Sequence, residues 1–407
     1  MASNRVSLPT FDPGIPRLGP CPPSWSTVRL GDVVEVVERP IKMIDENEYT
    51  LIVARRARGG IVSRGKRLGR LIRTKSQFEI KVGDFLISRR QIVHGACGVV
   101  PPELDGATVS NEYTVLQPSN QLLVGFLNLL AYTPYLQRTF YHSSVGVHVE
   151  KMVFRDREWL RYSICLPPVA EQEAILSIVD LWRRAVQWAD RLAALSCRRK
   201  RALIARLFAG QPLFRNDAVG GWDQVPLGSL ATVIMGTSPP SSAYNRVGEG
   251  IPLIQGMADV QNGRSAPTRW TSVVTERCAP GDIILSVRAP VGAVARSEHE
   301  ACIGRGISAI RPFKSTDGDY LYQALLATQS NWSRIGQGST FAAVTGQVVR
   351  AFRVPLPKDE GRRQQIGELL RLVDVETGLL ERLRDSIDRQ HRAVTQLLLI
   401  GQARALA

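Results

Sequence analysis

The 407-residue chain carries 52 lysines and arginines against 37 aspartates and glutamates, a formal net charge of +15, with 44% hydrophobic and 22% charged residues. That length exceeds one ordinary compact domain and points to two or three. The composition is that of a folded chain, which excludes a fibrous or disordered protein. The charge points to a polyanionic partner, nucleic acid first, against the alternative of a cationic surface that only aids solubility.

Residues 1–23 read as an N-terminal tail without the apolar run of a signal peptide, and no later stretch offers about 18 uncharged apolar residues. A cytoplasmic location and no membrane partner are therefore expected. Cys21, Cys97, Cys165, Cys197, Cys278 and Cys302 are scattered, form no C-x-x-C pair and have no histidine pair nearby. They read as reduced thiols, with no metal site.

Residues 24–167 form a first module. Short β-type runs such as 49–53 and 85–88 lie between glycine and proline turns, which points to a mixed α/β unit. Between Leu51 and Lys75 stand Arg55, Arg56, Arg58, Arg64, Lys66, Arg67, Arg70, Arg73 and Lys75 with no acidic residue among them, a local charge of +9. Gly60 to Arg67 resembles a phosphate-binding loop except that Arg67 replaces the magnesium-ligating Ser or Thr, and no helix signal follows. The segment is expected to be a basic, DNA-facing loop, because glycines admit phosphates to the backbone and arginines supply charge; a merely solvated loop is the alternative. Glu79-Ile80-Lys81 resembles half of a nuclease metal site but lacks its Pro-Asp strand, and reads as the polar face of a strand.

Residues 168–210 change period, as expected of a long helix. Ile175, Trp182, Ala189 and Leu203 fall on one heptad position and Ile178, Ala185 and Leu192 on its complement, while Ser196, Arg199 and Arg206 weaken the later turns. The helix starts after Leu166-Pro167 and ends at Gly210, where glycine can take a left-handed cap. Residues 211–221 are a linker.

Residues 222–357 repeat the first module. Trp25 to Gly31 returns as Trp222 to Gly228 at an offset of 197, and Val82 to Ser88 as Pro280 to Ser286 at 198. Leu166-Pro167 then matches Leu356-Pro357 at 190, and Ile175, Leu207 and Gly210 match Ile366, Leu398 and Gly401 at 191. Drift within the modules and fixed spacing at their ends indicate variable loops on a constant frame. Runs 283–287 and 307–310 are β-type. Residues 358–407 form a second long helix with a seam at Ile366, Val373, Leu380, Ile387 and Val394 and complementary positions Leu369, Leu383 and Leu397, interrupted by Glu376 and Gln390.

Gly281 to Gly292, Cys302-Ile303-Gly304-Arg305-Gly306, Gly338-Ser339-Thr340 and Val354-Pro355-Leu356-Pro357 make the sequence resemble the specificity subunits of type I restriction-modification systems. In the first half the matching marks are Gly83 to Arg90, Val109-Ser110-Asn111-Glu112 and Leu166 to Ile175. The resemblance spans residues 24–401. The second helix start departs from the pattern by one extra residue and by lacking the adjacent Glu-Gln, and Gly146-Val147-His148 stands where the second half has Gly338-Ser339-Thr340.

The resemblance implies an α+β protein: two tandem target-recognition domains, each followed by a long helix, the helices pairing as an antiparallel coiled coil with a pseudo-twofold repeat. It also implies partners: double-stranded DNA read as a split sequence, two DNA adenine methyltransferase subunits carrying S-adenosylmethionine, and an ATP-driven restriction and translocation subunit. No cofactor is expected on this chain.

Arginine can bond guanine O6 and N7 together, whereas amides suit adenine. DNA-contact candidates are therefore the Arg55 to Lys75 segment, Arg89, Arg90 and His148 in the first module, and Gln255, Arg264, Arg288, Arg305, Thr340 and Gln347 in the second. Subunit-interface candidates are Ile175, Ile178, Trp182, Leu192, Leu203, Ile366, Val373, Leu380, Ile387 and Val394. No catalytic constellation is found: His94, His142, His148, His299 and His391 sit apart, and Thr133-Pro134-Tyr135 does not replace an adenine methyltransferase loop. Two rival readings remain, a fused restriction or methylation polypeptide and a coiled-coil scaffold without DNA specificity.

Overall fold

The computed structural model describes residues 12–208, 222–336 and 344–405. The expected linker 211–221, Gly210 and Gly338-Ser339-Thr340 lie outside the described residues. The chain divides into two compact units, Met1–Gln187 with Asp385–Ala407, and Trp188–Arg384. The boundary falls within both long helices, so each unit holds one module and one half of each helix.

In the first unit a four-stranded antiparallel sheet runs in the order Val34–Val36, Tyr113–Pro118, Phe85–Ser88, Cys97–Val99. A five-stranded sheet carries Pro40–Ile41, Gln77–Glu79, Thr108–Ser110, Glu48–Ala54 and Ile61–Leu68, with one parallel pairing, Leu51 to Thr108. Phe85 and Ile87 enter a core with Phe126, Phe140, Phe154 and Trp159, while Leu86 enters a second core with Ile52, Ile61, Ile80 and Val109. Burial on both faces explains why this strand is an uninterrupted apolar run rather than an alternating one.

The second unit repeats the device: Ile283 and Leu285 face one core and Ile284 the other. The Gly-Asp step before each strand is structural. Gly83 and Gly281 turn at φ of 85° and 90°, a region that favours glycine. Buried Asp84 accepts from Arg39 at 2.7 and 3.1 Å and from the Lys81 N–H at 2.8 Å, and Asp282 does the same with Arg311 at 2.9 and 2.8 Å and the Ala279 N–H at 2.7 Å.

Each module is closed by pairing its first and last strands, Ser26–Arg29 with Ser163–Leu166 and Trp222–Pro226 with Arg353–Pro357. Closure fixes where the long helices start. Gln172 is fully buried and satisfied, accepting from the Leu123 N–H and donating to the Gln121 and Pro167 carbonyls. Glu171 accepts from Trp25 and Arg404. At the second start, which lacks Glu-Gln, Arg363 takes over by reaching Asp317 at 3.4 Å and donating to the Pro357 carbonyl at 3.0 Å.

The helices span Val169–Phe208 and Glu360–Leu399, 40 residues each, or ~60 Å at 1.5 Å per residue. The second ends earlier than residue 407: Gly401 at φ 69° caps it, and the chain turns so that Ala405 is buried in the first core. The pairing is antiparallel within each unit. In the second, Asp190 meets Arg384 at 2.9 Å, Ser196 meets Thr377 at 2.8 Å and Lys200 meets Asp374 at 2.5 Å. In the first, Ile175 and Leu398 share a core, with Ile178, Val179 and Val394 packed against it.

The seam differs from the expected heptad in one respect. Ile175, Ala189, Ile366 and Val373 are buried as expected and Ile178 packs on the first core, but elsewhere the buried complement lies four residues on rather than three: Leu207, Leu370 and Leu398 are buried, whereas Leu192 is 49% and Leu383 51% exposed. Each inner face serves a module as well as the other helix, since Leu207 and Leu370 pack with Tyr320 and Ala324, and this turns the seam toward the module. Ser196 is thereby a buried seam residue rather than an interruption, and Glu376 leaves the seam to lie 3.5 Å from Arg199.

Two further expectations are corrected. Residues 61–68 of the Arg55 to Lys75 segment form a strand paired with Glu48–Ala54 at the edge of the five-stranded sheet and Gly69–Leu71 a short 3-10 helix, so the segment is only in part the expected loop. Cys21 and Cys165, read as free thiols, form a disulfide with Cα atoms 5.4 Å apart. Closure of the module carries residue 165 beside the incoming chain, which is also held through Asp12 to Arg138 at 2.9 Å.

Candidate nucleic-acid interface

In the first module the hairpin of Glu48–Ala54 and Ile61–Leu68 has a bulge: Leu51 pairs with Gly65 and Ile52 with Ser63, leaving Arg64 unpaired in the ladder. Bulges re-aim a side chain, and Gly65 at φ 99° is the residue that permits this one. Arg64, Arg67 and Arg73 rim a cavity of about 370 Å³ whose floor includes Gln77, Thr108 and Tyr113. Gln77 is buried, and its Oε1 has no hydrogen-bond partner among the described residues.

The nine basic residues of the segment separate into classes. Arg56 reaches Glu150 at 2.6 Å and Lys75 reaches Asp45 at 2.8 Å. Arg58 lies over the Tyr132 ring at 5.0 Å, and burial lowers its pKa from the ordinary arginine value. Arg55, Arg64, Lys66, Arg67, Arg70 and Arg73 have no carboxylate partner among the described residues. Arg89 and Arg90 are also paired, with Asp156 at 3.3 Å and Glu112 at 2.5 Å. Exposed His148 precedes Glu150, which the Arg56 guanidinium holds below the usual carboxylate range with help from His94 at 3.1 Å.

Among the described residues the second module has no comparable basic strand. Instead Gln255, Arg288 and Arg305 converge on a concavity of about 210 Å³ with Ser238, Met257 and Ser286. Neither guanidinium meets a carboxylate among the described residues; Arg305 Nε lies 3.4 Å from Ser238 Oγ. Arg264 is tied to Glu298 and Gln347 sits on the helix Gly346–Ala351, both away from this lining. Thr340 lies outside the described residues. The sequence reading missed Ser238 and Met257, uncharged residues on loops with no motif to mark them.

It also assigns Leu192 and Leu383 to the seam and leaves unmarked the other members of a second stripe on the helices. Leu181, Trp188, Leu192 and Leu195 on the first, and Leu372, Val375, Leu379 and Leu383 on the second, are exposed at helical spacing. In the second unit the pairing register sets Leu195 beside Leu379 on a common side of the helix pair, with Trp188, Leu192 and Leu383 following. Among the described residues no group of three or more His, Cys, Asp or Glu could hold a metal ion, and no helix is long and apolar enough to cross a membrane.

Two framework-equivalent modules, each delivering its chain into one of two long antiparallel helices, define an internally duplicated two-module protein. The family model for the type I restriction modification DNA specificity domain matches residues 22–186 and again 220–389, and the chain belongs to that family.

Among curated relatives, a protein provisionally named the type I restriction enzyme MjaX specificity subunit of Methanocaldococcus jannaschii is 28% identical over 289 residues, 67% of this chain and 68% of that one. The MjaIX specificity subunit of the same organism is 26% identical over 164 residues, 38% of each chain. The HsdS subunit of Thermoanaerobacter tengcongensis superposes with a TM-score of 0.56 at 26% identity, covering 94% of this chain and 98% of that one. A chain from a structure describing complex assembly and conformational transition of the type I restriction-modification system gives a TM-score of 0.63 at 27% identity over the same shares, 94% and 98%. An S subunit from M. genitalium, 12% identical with a TM-score of 0.58 over 92% of this chain and 96% of that one, shares the fold.

Proposed function

We propose that this chain recognises a bipartite, asymmetric duplex DNA site and scaffolds the catalytic subunits of its complex without catalysing a reaction itself. The observation that carries this reading is the contrast between the modules: equivalent frames present a basic bulged hairpin in one and a Gln–Arg–Arg concavity in the other. Different side chains at a groove read different bases, so the two half-sites differ and form no palindrome. The cations left unpaired on the first hairpin supply the sequence-independent phosphate term, and the amide and guanidinium groups of the second supply base contacts.

The helix pair acts as a ruler, so the bases between the half-sites are fixed in number and free in identity. Its exposed Trp188–Leu192–Leu195 and Leu372–Val375–Leu379–Leu383 face is the docking surface for methyltransferase subunits, since a large contiguous apolar patch on a charged chain marks an interface. Two such subunits carry S-adenosylmethionine, and an ATP-driven restriction and translocation subunit joins them in the cytoplasm. Mapping methylated adenines in a host carrying the system, before and after exchange of residues 24–165 for the equivalent module of a relative, tests the reading. One half of the motif should change; a continuous motif, a palindrome or a change in both halves refutes it.

A further inference from the structure

We propose that Gln255 reads an adenine in the half-site contacted by the second module, and that Tyr244 is the residue that orients it; this rests on the reading of that module as a DNA reader. The backbone at Gln255 is held in place. Its N–H donates to the buried Asp259 carboxylate at 2.8 Å, and the Gly256 N–H reaches the same oxygen at 3.4 Å. Gly304 and Gly306 leave the space it needs: a Cβ at 304 would stand 3.1 Å from Gln255 Cγ, and one at 306 would stand 2.4 Å from its carbonyl oxygen.

The side-chain amide is oriented by a chain of hydrogen bonds. The Tyr244 hydroxyl lies 2.9 Å from the Pro239 carbonyl, which can only accept, so its one hydrogen is used there. The same hydroxyl lies 2.7 Å from Gln255 and must therefore accept from the amide NH₂. Gln255 is left with Oε1 as an acceptor and one N–H as a donor, both unpartnered among the described residues, on the concavity that Arg288 and Arg305 also line.

In the major groove adenine offers an N6–H donor beside the N7 acceptor, the complement of that pair. Guanine offers two acceptors, so Oε1 would face O6. Thymine offers an acceptor and a methyl group, and cytosine a donor without an adjacent acceptor. Adenine alone satisfies both free atoms, and because Tyr244 fixes which end of the amide is which, the preference is built in before DNA arrives.

The test is selection of bound duplexes from a library with a fully randomised insert of about two helical turns, roughly 20 base pairs, using the full-length chain and its Gln255→Ala, Gln255→Glu and Tyr244→Phe variants. The wild type should select a motif with an adenine at one position of one half. Gln255→Ala should cut the preference at that position by roughly 5- to 150-fold and leave the others. Gln255→Glu, which can only accept, should move it toward cytosine. Tyr244→Phe should weaken the same position alone, with an unchanged salt dependence, an outcome that a general framework role would not produce.

A Gln255→Ala motif that keeps every base, or relaxes a base other than adenine, overturns the proposal. So does uniform loss of the whole half-site in both Gln255 variants. Exchange of residues 222–357 separates the two levels: if the exchange changes one half while Gln255→Ala changes nothing, the assignment of Gln255 fails alone, and if neither changes the motif, the reading of the module fails with it.

Discussion

Replacing Arg64, Lys66 and Arg67 together with alanine tests the electrostatic division of the first module. Among the described residues none of the three meets a carboxylate, and all three are exposed on the hairpin. Removing one cation from a phosphate should reduce the slope of log K against log salt by about 0.9. Between roughly 50 and 200 mM salt one such cation accounts for about a 3.5-fold change in affinity, and three for about 40-fold. The triple variant should therefore bind all duplexes more weakly at low salt and lose affinity less steeply as salt rises, with a slope smaller by up to about 2.7. Fluorescence anisotropy on a specific and a random duplex over a salt series measures both quantities. The control is Arg56→Ala with Lys75→Ala: these cations are already neutralised by Glu150 and Asp45, so their removal should change the slope by well under one unit per residue. Equal slopes for wild type and triple variant, or a larger effect from the control pair, would refute the reasoning.

Other perturbations address the scaffold. Leu370→Ala, in the seam, should cost about 2–5 kcal/mol of stability, whereas Leu383→Ala should cost under about 0.5 kcal/mol; thermal melts that reverse the order would restore the simple heptad. Leu379→Glu with Leu383→Glu should leave the melting temperature near that of the wild type and abolish co-purification with the methyltransferase, and retained co-purification would exclude this face as the docking surface. Asp84→Ala removes a buried acceptor of Arg39 and the Lys81 N–H and should cost about 1–3 kcal/mol in a denaturant titration. Burial at the helix pair lowers the pKa of His391, against the opposing pull of Asp388 and with Arg392 and Arg183 adding to it. A histidine whose folded pKa is depressed contributes full stability above its unfolded value, about 6.5, and loses it as pH falls through that value toward the folded one. The melting temperature should thus drop between about pH 8 and 5.5 by more in the wild type than in His391→Gln, and identical drops would remove His391 from the account.

The sequence by itself determined the duplication, the two long helices and the family, because these rest on local and repeated signals: a Gly-Asp turn before an apolar strand, a Leu-Pro step before a helix, and a seven-residue period. It also marked the basic segment 55–75, since charge density is visible without a fold. Only the tertiary structure decided which of those cations are free, because Glu150 and Asp45 neutralise residues 30 or more positions away in the chain. The same holds for the helices: a heptad read along one helix identifies an apolar face, but whether positions three or four residues on complete it depends on what packs against the flank. Here Tyr320 and Ala324 draw Leu370 inward and leave Leu383 in solvent. The grouping of Gln255, Arg288 and Arg305, and the bond from Tyr244 that orients the first of them, likewise arises where separate loops meet, a proximity that no spacing along the chain encodes.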